Sequence, residues 1–249
     1  MEEKRFKCFP YWQGITEKTK ILAFCFHHAG GSAAFFYKWS KKISSHIMVI
    51  PIELPGHGVR IDDDSPLNWS TMITDLSKSI ETLVNGTKLP FVLVGCSLGS
   101  LVAYCCAIHL EQMNCLPEKL IICAHCAPNE QAPGYKSSMG IVKLKAELIT
   151  LGGMSEDVID HVDFQNFYLP IIYRDYQFHD SYEFRGEILS KIPIYSFYGI
   201  DDPYFQIENT KSWKNMTKSY FYCECVKGNH FFVYDNDFAF KFEQLLLCS

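Results

Sequence analysis

The chain has 249 residues, of which 48% are hydrophobic and 20% are charged, enough to bury the core of one large α/β domain. Its net charge of −5 argues against a general nucleic-acid-binding protein. No apolar run is long enough to cross a membrane, and segment 1–7 lacks the apolar stretch of a secretory signal, so a cytoplasmic protein without a membrane partner is expected.

Apolar segments alternate with helical ones along most of the chain. After an N-terminal strand or arm and a polar link within 1–19, strands are predicted at 20–26, 46–52, 91–94, 118–124, 191–198 and 219–226. Helices are predicted to begin near Ser32 and to cover 69–84, 98–113, 207–215 and 238–247. Strands that alternate with helices form parallel sheets covered on both faces. The predicted fold class is therefore α/β with a mostly parallel central sheet.

The alternation breaks between about 129 and 188, where no strand-like run occurs. Short helices are predicted there at 140–151, 155–167 and 169–184. One crossover between parallel strands needs only about a dozen residues. We therefore interpret this stretch as a helical lid inserted over the active site of a single domain, 1–249. The alternative is that these helices are ordinary crossovers packed on the sheet.

Eleven cysteines are many for this length. Without a secretory signal they are predicted to be reduced thiols, most of them packed as small hydrophobic side chains. Cys123 and Cys126 form a C-x-x-C pair, for which Cys223 and Cys225 could be imagined as partners in a metal site. The second pair has the wrong spacing for a zinc ribbon or knuckle, and both pairs lie in strand-like segments. No metal site is expected.

The most informative motif is Gly95-Cys96-Ser97-Leu98-Gly99, which has the pattern G-x-S-x-G between a predicted strand and a predicted helix. A serine on such a tight turn has a strained backbone and an exposed hydroxyl, and side chains at either glycine would crowd the turn. The following helix points its first backbone N–H groups at a developing oxyanion. Ser97 is therefore predicted to be the nucleophile of an acyl-transfer reaction.

A serine nucleophile needs a second oxyanion donor, a base, and an acid that orients the base. The small residues from Ala29 to Gly31 follow an early strand, where hydrolases with this turn place the second donor. Asp201 and Asp202 end one predicted strand and His230 follows the next, so they reach the carboxyl edge of the sheet, where ligands bind. Asp202 is chosen over Asp201. Other histidines that could line the site are His27, His28 and His57.

Six segments, in this order, resemble the signatures of type II thioesterases, the discrete editing thioesterases of polyketide and non-ribosomal peptide synthetases, which have the α/β-hydrolase fold. The aspartate before proline in G-x-x-D-P falls on Asp202, and the histidine of G-D/G-H-F-F falls on His230. The segments are 26–33 (F-P-x-A-G-G-S-A), 53–60 (L-P-G-R/H-x-x-R), 95–100 (G-H-S-M-G-A), 169–176 (L-P-x-L-R-A-D), 199–203 and 228–232.

Two positions depart from the family pattern. Cys96 replaces the usual histidine before the serine, and His27 replaces the usual proline. Cys96 is rejected as a nucleophile because the turn presents the central residue of its five, which is Ser97. What these departures change is how neighbouring side chains tune the site.

The resemblance implies hydrolysis of acyl thioesters on the phosphopantetheine arm of acyl or peptidyl carrier proteins. It implies that Ser97 attacks the carbonyl, His230 moves the proton, and Asp202 orients His230. The N–H groups of Ala29 and Leu98 would hold the oxyanion. No metal or cofactor is expected beyond the phosphopantetheine of the substrate, and a monomer is expected. The residues expected to bind substrate are His28, Phe167, Tyr168 and Tyr173.

The surface expected to attract an acidic carrier protein is a set of basic residues, because the chain as a whole is acidic. The candidates are Lys136, Lys143 and Lys145, with Arg60 and Arg174 as further ones. Four alternatives stay open: a free-substrate esterase or lipase, a medium-chain fatty acyl-carrier-protein thioesterase, a product-releasing thioesterase that forms a ring, and a non-catalytic binding protein.

Overall fold

A computed structural model describes residues 7–63, 68–205 and 207–247. Its described part contains one sheet of six strands in the order β2-β1-β3-β4-β5-β6, and all neighbouring strands are parallel. The strands are β1 (Ile21–Phe26), β2 (Ile47–Ile52), β3 (Phe91–Cys96), β4 (Lys119–Cys123), β5 (Ile194–Gly199) and β6 (Phe221–Val226).

Helices connect these strands, and the predicted ones are present with shifted ends, except that two of the predicted segments are interrupted. Segment 207–215 divides into α7 and a 3₁₀ turn, Ser212–Met216. The helices are α1 (Ala33–Ser40), α2 (Trp69–Thr87), α3 (Leu98–Gln112), α4 (Ile141–Thr150), α5 (Glu156–Asp160), α6 (Leu169–Asp180), α7 (Ile207–Lys211) and α8 (Asn236–Leu247).

Both faces of the sheet are covered, as the alternation predicted. Leu22 and Phe24 of β1 belong to the hydrophobic cluster that includes α2 and α3, whereas Ala23 and Cys25 belong to the cluster that includes α1 and α8. Successive side chains of a strand point to opposite faces. All six residues of β1 are apolar and buried, so both faces of this strand are covered. Such a strand occurs where both faces of a sheet are covered.

The predicted strand or arm near the N-terminus is not a strand in the described residues 7–19, which form turns. Pro10 lacks a backbone donor, and Gly14 has a φ of 91°, so neither suits a strand. The segment is still attached to the sheet, because the backbone N–H of Glu53 donates to the carbonyl of Cys8 over 2.9 Å.

The helices between β4 and β5 pack mainly on one another. Buried apolar side chains of this stretch, most of them on its helices, form a cluster of their own: Tyr135, Leu144, Leu148, Ile159, Phe164, Leu169 and Ile172. Ordinary crossover helices would place such side chains on the sheet. We call residues 129–188 the helical insertion. The predicted helix 155–167 breaks at His161, whose backbone is extended, and continues as a π-helical turn, Phe164–Tyr168.

Two other expectations concern the chemistry of the chain. The ten described cysteines form no disulfide, in agreement with the predicted thiols. Across the described ranges, none of the helices has both the length and the apolar character that crossing a bilayer requires.

Candidate active site

Ser97 lies between the last residue of β3 and the first residue of α3, and its backbone has a φ of 52° and a ψ of −122°. A positive φ is uncommon outside glycine, and holding it costs about 1–3 kcal/mol. A Cβ atom at Gly95 would overlap the backbone of Ser100, and one at Gly99 would overlap the carbonyl oxygen of Phe26. The motif needs both glycines because α3 approaches the sheet so closely.

The acid and the base form a buried hydrogen-bonded pair. Oδ2 of Asp202 lies 2.7 Å from Nδ1 of His230, and its Oδ1 accepts the backbone N–H groups of Tyr204 and Phe205 over 3.0 and 3.2 Å. Since a carboxylate only accepts, Nδ1 of His230 carries a proton, which leaves Nε2 as the acceptor of the neutral ring. Asp201 is exposed instead. The geometry therefore favours Asp202 over Asp201.

Ser97, His230, Ala29 and Leu98 line one cavity of about 40 Å³. Within the described residues, the backbone N–H groups of Ala29 and Leu98 donate no hydrogen bond to the protein. Two such donors beside a serine could stabilise an oxyanion. The remaining lining residues are His125, Ala132, Pro133, Tyr135, Glu147, Leu151, Tyr176, His179, Tyr204 and Phe205.

The helical insertion supplies part of this cavity wall. Glu147 of α4 is 8% exposed, and its carboxylate accepts the hydroxyl of Tyr204 over 2.7 Å and the backbone N–H of Tyr135 over 3.2 Å. Burial and the nearby Glu147 raise the pKa of Tyr204 to about 12, so this hydroxyl is a donor at neutral pH. The insertion thus contacts the loop that carries the acid, while its role as a lid stays a prediction.

Two histidines that line the cavity, His125 and His179, are not among the site residues predicted from the sequence. His125 follows β4, and its Nδ1 donates to the carbonyl of Cys126 over 2.7 Å, so its Nε2 accepts from Nε2 of His179 over 3.0 Å. Burial, together with the charge of His179, lowers the pKa of His125 to about 3. The rule that pointed to Asp201, Asp202 and His230, a polar residue after a parallel strand, could have found His125. In the sequence, however, this segment stands out only as a C-x-x-C pair.

His28 lies beside this cavity, not in its wall. Its Nδ1 lies 2.7 Å from the hydroxyl oxygen of Tyr234, and burial, together with the charges of His230 and His57, lowers the pKa of its ring to about 3. His28 lines a second cavity of about 600 Å³, which shares Ala29 with the first. Its role in substrate binding stays a prediction.

The other three residues expected to bind substrate do not line the cavity that contains Ser97. Phe167 and Tyr168 are 67% and 57% exposed, and Tyr173 donates its hydroxyl to the carbonyl of Ser137 over 3.2 Å. The residues of α6 that line the first cavity are Tyr176 and His179, and Tyr173 is rotated about 60° from Tyr176 at 3.6 residues per turn. These three aromatics therefore do not line the cavity around Ser97, and their expected contact with the phosphopantetheine arm stays a prediction.

Cys96 does not compete with Ser97. Its side chain is fully buried, and burial strongly raises the pKa of its thiol. A buried thiol with a raised pKa is inert because the nucleophile is the thiolate. By contrast, Ser97 is the one residue between 91 and 100 that is partly exposed, whereas the other nine are buried.

A parallel sheet with a serine on a strained strand-to-helix turn, and an Asp–His pair on the loops after β5 and β6, has the architecture of the α/β-hydrolase fold. Solved thioesterases share it. RedJ, a thioesterase from the prodiginine pathway of Streptomyces coelicolor, superposes with a TM-score of 0.79 at 22% identity over 98% of this chain and 95% of its own. BorB, a type II thioesterase from the borrelidin cluster, superposes with a TM-score of 0.75 at 25% identity over 89% of each chain.

The chain belongs to the thioesterase family, whose model, described as a thioesterase domain, matches residues 23–245. It is 28% identical over 228 residues to the gramicidin S biosynthesis protein GrsT of Aneurinibacillus migulanus, covering 90% of this chain and 87% of that protein. The resemblance to type II thioesterases is confirmed, and the protein is a hydrolase that acts on thioesters.

Proposed function

We propose that this protein removes acyl groups from the phosphopantetheine arm of carrier proteins, as an editing or off-loading enzyme of polyketide or non-ribosomal peptide biosynthesis. The observation that carries the mechanism is the Asp202–His230 pair, because its geometry leaves Nε2 of His230 as a proton acceptor. The pathway context is supported by similarity to GrsT and to the thioesterase PikA5 of Streptomyces venezuelae, 24% identical over 212 residues.

The proposed reaction has two halves. Oγ of Ser97 attacks the thioester carbonyl, its proton passes to Nε2 of His230, and the N–H groups of Ala29 and Leu98 stabilise the oxyanion. The C–S bond then breaks, the thiolate takes the proton from His230, and an ester on Ser97 remains. Water attacks this ester while giving a proton to His230, the bond between the acyl carbon and Oγ of Ser97 breaks, Oγ takes the proton back from His230, and the free acid leaves. These side chains suffice for acyl transfer, so we propose no cofactor; a cytoplasmic monomer stays a prediction.

The proposed partner is an acyl or peptidyl carrier protein. Of the basic candidates, Lys143 is exposed on α4, whereas Lys145 lies 3.7 Å from Asp160. Arg60 and Arg174 donate to backbone carbonyls of nearby loops over 3.0 and 2.9 Å, so both are already used within the protein. Lys136 is half-buried. Lys143 is therefore the preferred docking residue.

A second candidate substrate is a medium-chain fatty acyl group, because the chain is 25% identical over 223 residues to the medium-chain fatty acid synthase thioesterase of Anas platyrhynchos. The cavity around Ser97 favours a short acyl group instead. At about 40 Å³, it offers space for about three waters, since one needs about 10–15 Å³ in this measure.

The test is intact-mass spectrometry of carrier proteins loaded with acetyl, propionyl, aminoacyl, octanoyl and decanoyl groups, each incubated with the wild-type protein and with Ser97→Ala. The proposal predicts loss of the short acyl groups with the wild-type protein only. Faster loss of octanoyl and decanoyl groups would favour the medium-chain candidate. Turnover of small esters with no loss from any carrier protein would mean a free-substrate esterase.

A further inference from the structure

The loop that carries the proposed oxyanion donor Ala29 is bound to the helical insertion. Its next residue, Gly30, donates its backbone N–H to Oδ2 of Asp175 on α6 over 2.6 Å. Asp175 is 4% exposed, so this hydrogen bond is shielded from water. A buried carboxylate that accepts a backbone N–H makes a charge-assisted hydrogen bond, about twice as strong as a neutral one.

The contact between this loop and α6 is also a close steric fit. A Cβ atom at Gly30 would overlap the side chain of Ile172, one turn before Asp175. Gly30 has a φ of 71°, a conformation suited to glycine, and the loop closes with a hydrogen bond of 3.0 Å from the N–H of Gly31 to the carbonyl of His28. The path of the loop therefore depends on where α6 lies.

The same oxygen of Asp175 binds a second loop through His57. Nε2 of His57 lies 2.8 Å from Oδ2 of Asp175, and its Nδ1 lies 3.0 Å from the carbonyl oxygen of Pro55. Both partners can only accept, and a neutral imidazole carries one N–H, so both contacts are hydrogen bonds only when His57 is an imidazolium. The cation compensates the buried charge of Asp175.

The surroundings of His57 are consistent with this charge state. Burial lowers the pKa of His57, but the hydrogen bond and charge of Asp175 and the carbonyl of Pro55 outweigh it, so the pKa is raised above its ordinary value. The other groups near it are Arg174 of α6, Glu53 after β2, and His27 and His28 after β1.

A neighbouring residue of α6 reinforces the attachment. Nη2 of Arg174 donates to the carbonyl oxygen of Gly56 over 2.9 Å, and a Cβ atom at Gly56 would overlap the Arg174 guanidinium. Segment 172–175 of α6 therefore contacts the loop after β1 and the loop after β2 together.

We propose that Asp175 is a positioning residue, which holds the Ala29 N–H in the oxyanion hole by binding Gly30 and His57 at once, so that the oxyanion hole is complete only while α6 is docked. This inference rests on the proposed function, because it concerns the oxyanion of that reaction. Asp175 acts on the transition state through the loop and does not touch the substrate.

Removing an oxyanion donor outright commonly lowers kcat by about 100- to 1,000-fold. Asp175→Ala keeps the backbone N–H of Ala29 but removes the hydrogen bond that holds its loop. We therefore expect kcat/KM to fall by about 10- to 100-fold. Asp175→Asn keeps an oxygen acceptor for Gly30 and loses the charge, so a smaller fall is expected. Asp160→Asn, the same change at an exposed carboxylate elsewhere on the insertion, is the matched control, with kcat/KM near that of the wild type on pantetheine thioesters.

The experiment compares two analogues across these variants. A pantetheine trifluoromethyl ketone is attacked by Ser97, whose proton passes to His230, and it then carries an oxyanion; the corresponding pantetheine amide binds without one. We expect both Asp175 variants to lose affinity for the ketone by the same factor as kcat/KM, while their affinity for the amide stays at the wild-type value. Asp175→Asn serves as the folded variant if Asp175→Ala does not fold.

Equal loss of ketone and amide affinity would mean that Asp175 only supports the fold, and would overturn the inference. If the Asp175 variants bound the ketone as tightly as Asp160→Asn does, the inference would be overturned as well. If the wild-type protein neither bound the ketone nor cleaved any carrier thioester, the proposed function itself would be overturned. This outcome is distinct from the other two because it needs no variant.

Discussion

The ends of the sheet strands and the helical insertion contribute to the active site in different ways. Ser97, Asp202 and His230 follow directly from β3, β5 and β6, whose positions are set by a continuous parallel ladder. The insertion packs around its own small cluster and reaches the site through a few polar contacts, such as Glu147 with Tyr204 and Asp175 with Gly30. The sheet thus places the proposed reacting side chains, whereas the insertion supplies part of the cavity wall and contacts the loop that carries Ala29.

The largest effect is expected for Ser97→Ala, which removes the nucleophile from the strand-end part of the site. Turnover of a carrier-bound thioester should fall by about a million-fold, while the free energy of unfolding should change little, because alanine is strained at the φ of 52° as serine is. Rate measurements and denaturant unfolding check both. Substantial residual turnover would contradict the assignment of Ser97.

The next largest effect separates two adjacent aspartates. Asp202→Asn should lower kcat by about 10⁴-fold, because an amide can donate to Nδ1 of His230 and so favour the wrong tautomer. Asp201→Asn is the control, since this exposed side chain should leave the rate within a fewfold of the wild type. Equal losses in the two variants would show that the Asp202–His230 contact does not orient the base.

A third variant perturbs the insertion and leaves the triad in place. Tyr204→Phe removes the hydroxyl that Glu147 accepts, so the free energy of unfolding should fall by about 1–3 kcal/mol, with a rise in KM. Tyr222→Phe is the matched control, because its hydroxyl also donates to a glutamate, Glu224, but at an exposed position of β6. Its effect should stay within about 0.5 kcal/mol. Equal destabilisation in both variants would mean that burial of Glu147 is irrelevant.

A smaller effect is expected at the outer face of the insertion. Lys143→Glu should slow hydrolysis of a carrier-bound acyl group severalfold, chiefly through the association rate, and the difference from the wild type should shrink at high salt. The coenzyme A thioester should be unaffected. Lys78→Glu, an equal charge change at an exposed position of α2, is the control. If carrier and coenzyme A substrates respond alike, Lys143 is not a docking residue.

The smallest effect concerns the pH dependence of stability. The pKa of His57 is higher in the folded protein than its ordinary value of about 6.5, so its contribution to stability is fully present below pH 6.5 and is lost as the pH rises through the raised pKa. Buried cysteines with raised pKa values act in the same direction. The difference in unfolding free energy between the wild type and Asp175→Asn should therefore shrink from pH 6 to 9. A constant difference would contradict the imidazolium.

The strand-end residues could be predicted from the sequence because each stands at a break between an apolar strand and a turn. The choice of Asp202 came only from family resemblance, whereas the structure supplies a physical reason in the two backbone N–H groups that its Oδ1 accepts. His125 also follows the end of a parallel strand, but it lies within a C-x-x-C pattern that draws attention to the cysteines.

The side chains of the insertion that face inward could not be predicted from the sequence, because the helices there are short and irregular. The break at His161 and the π-helical turn that follows change which side chains face inward, so Phe167 and Tyr168 lie outside. Asp175 lay inside a recognised segment, 169–176, but its contact with Gly30 joins residues 145 positions apart. No local pattern encodes such a contact.

The central claim is that Ser97 forms an acyl-enzyme during thioester hydrolysis. The most direct measurement is rapid-quench mass spectrometry of the wild-type protein mixed with acyl-loaded carrier protein, followed by peptide mapping of the acylated species. The account predicts a transient mass increase equal to the acyl group, located on Ser97 and absent from Ser97→Ala. An adduct on Cys96, or hydrolysis at full rate in Ser97→Ala, would contradict it.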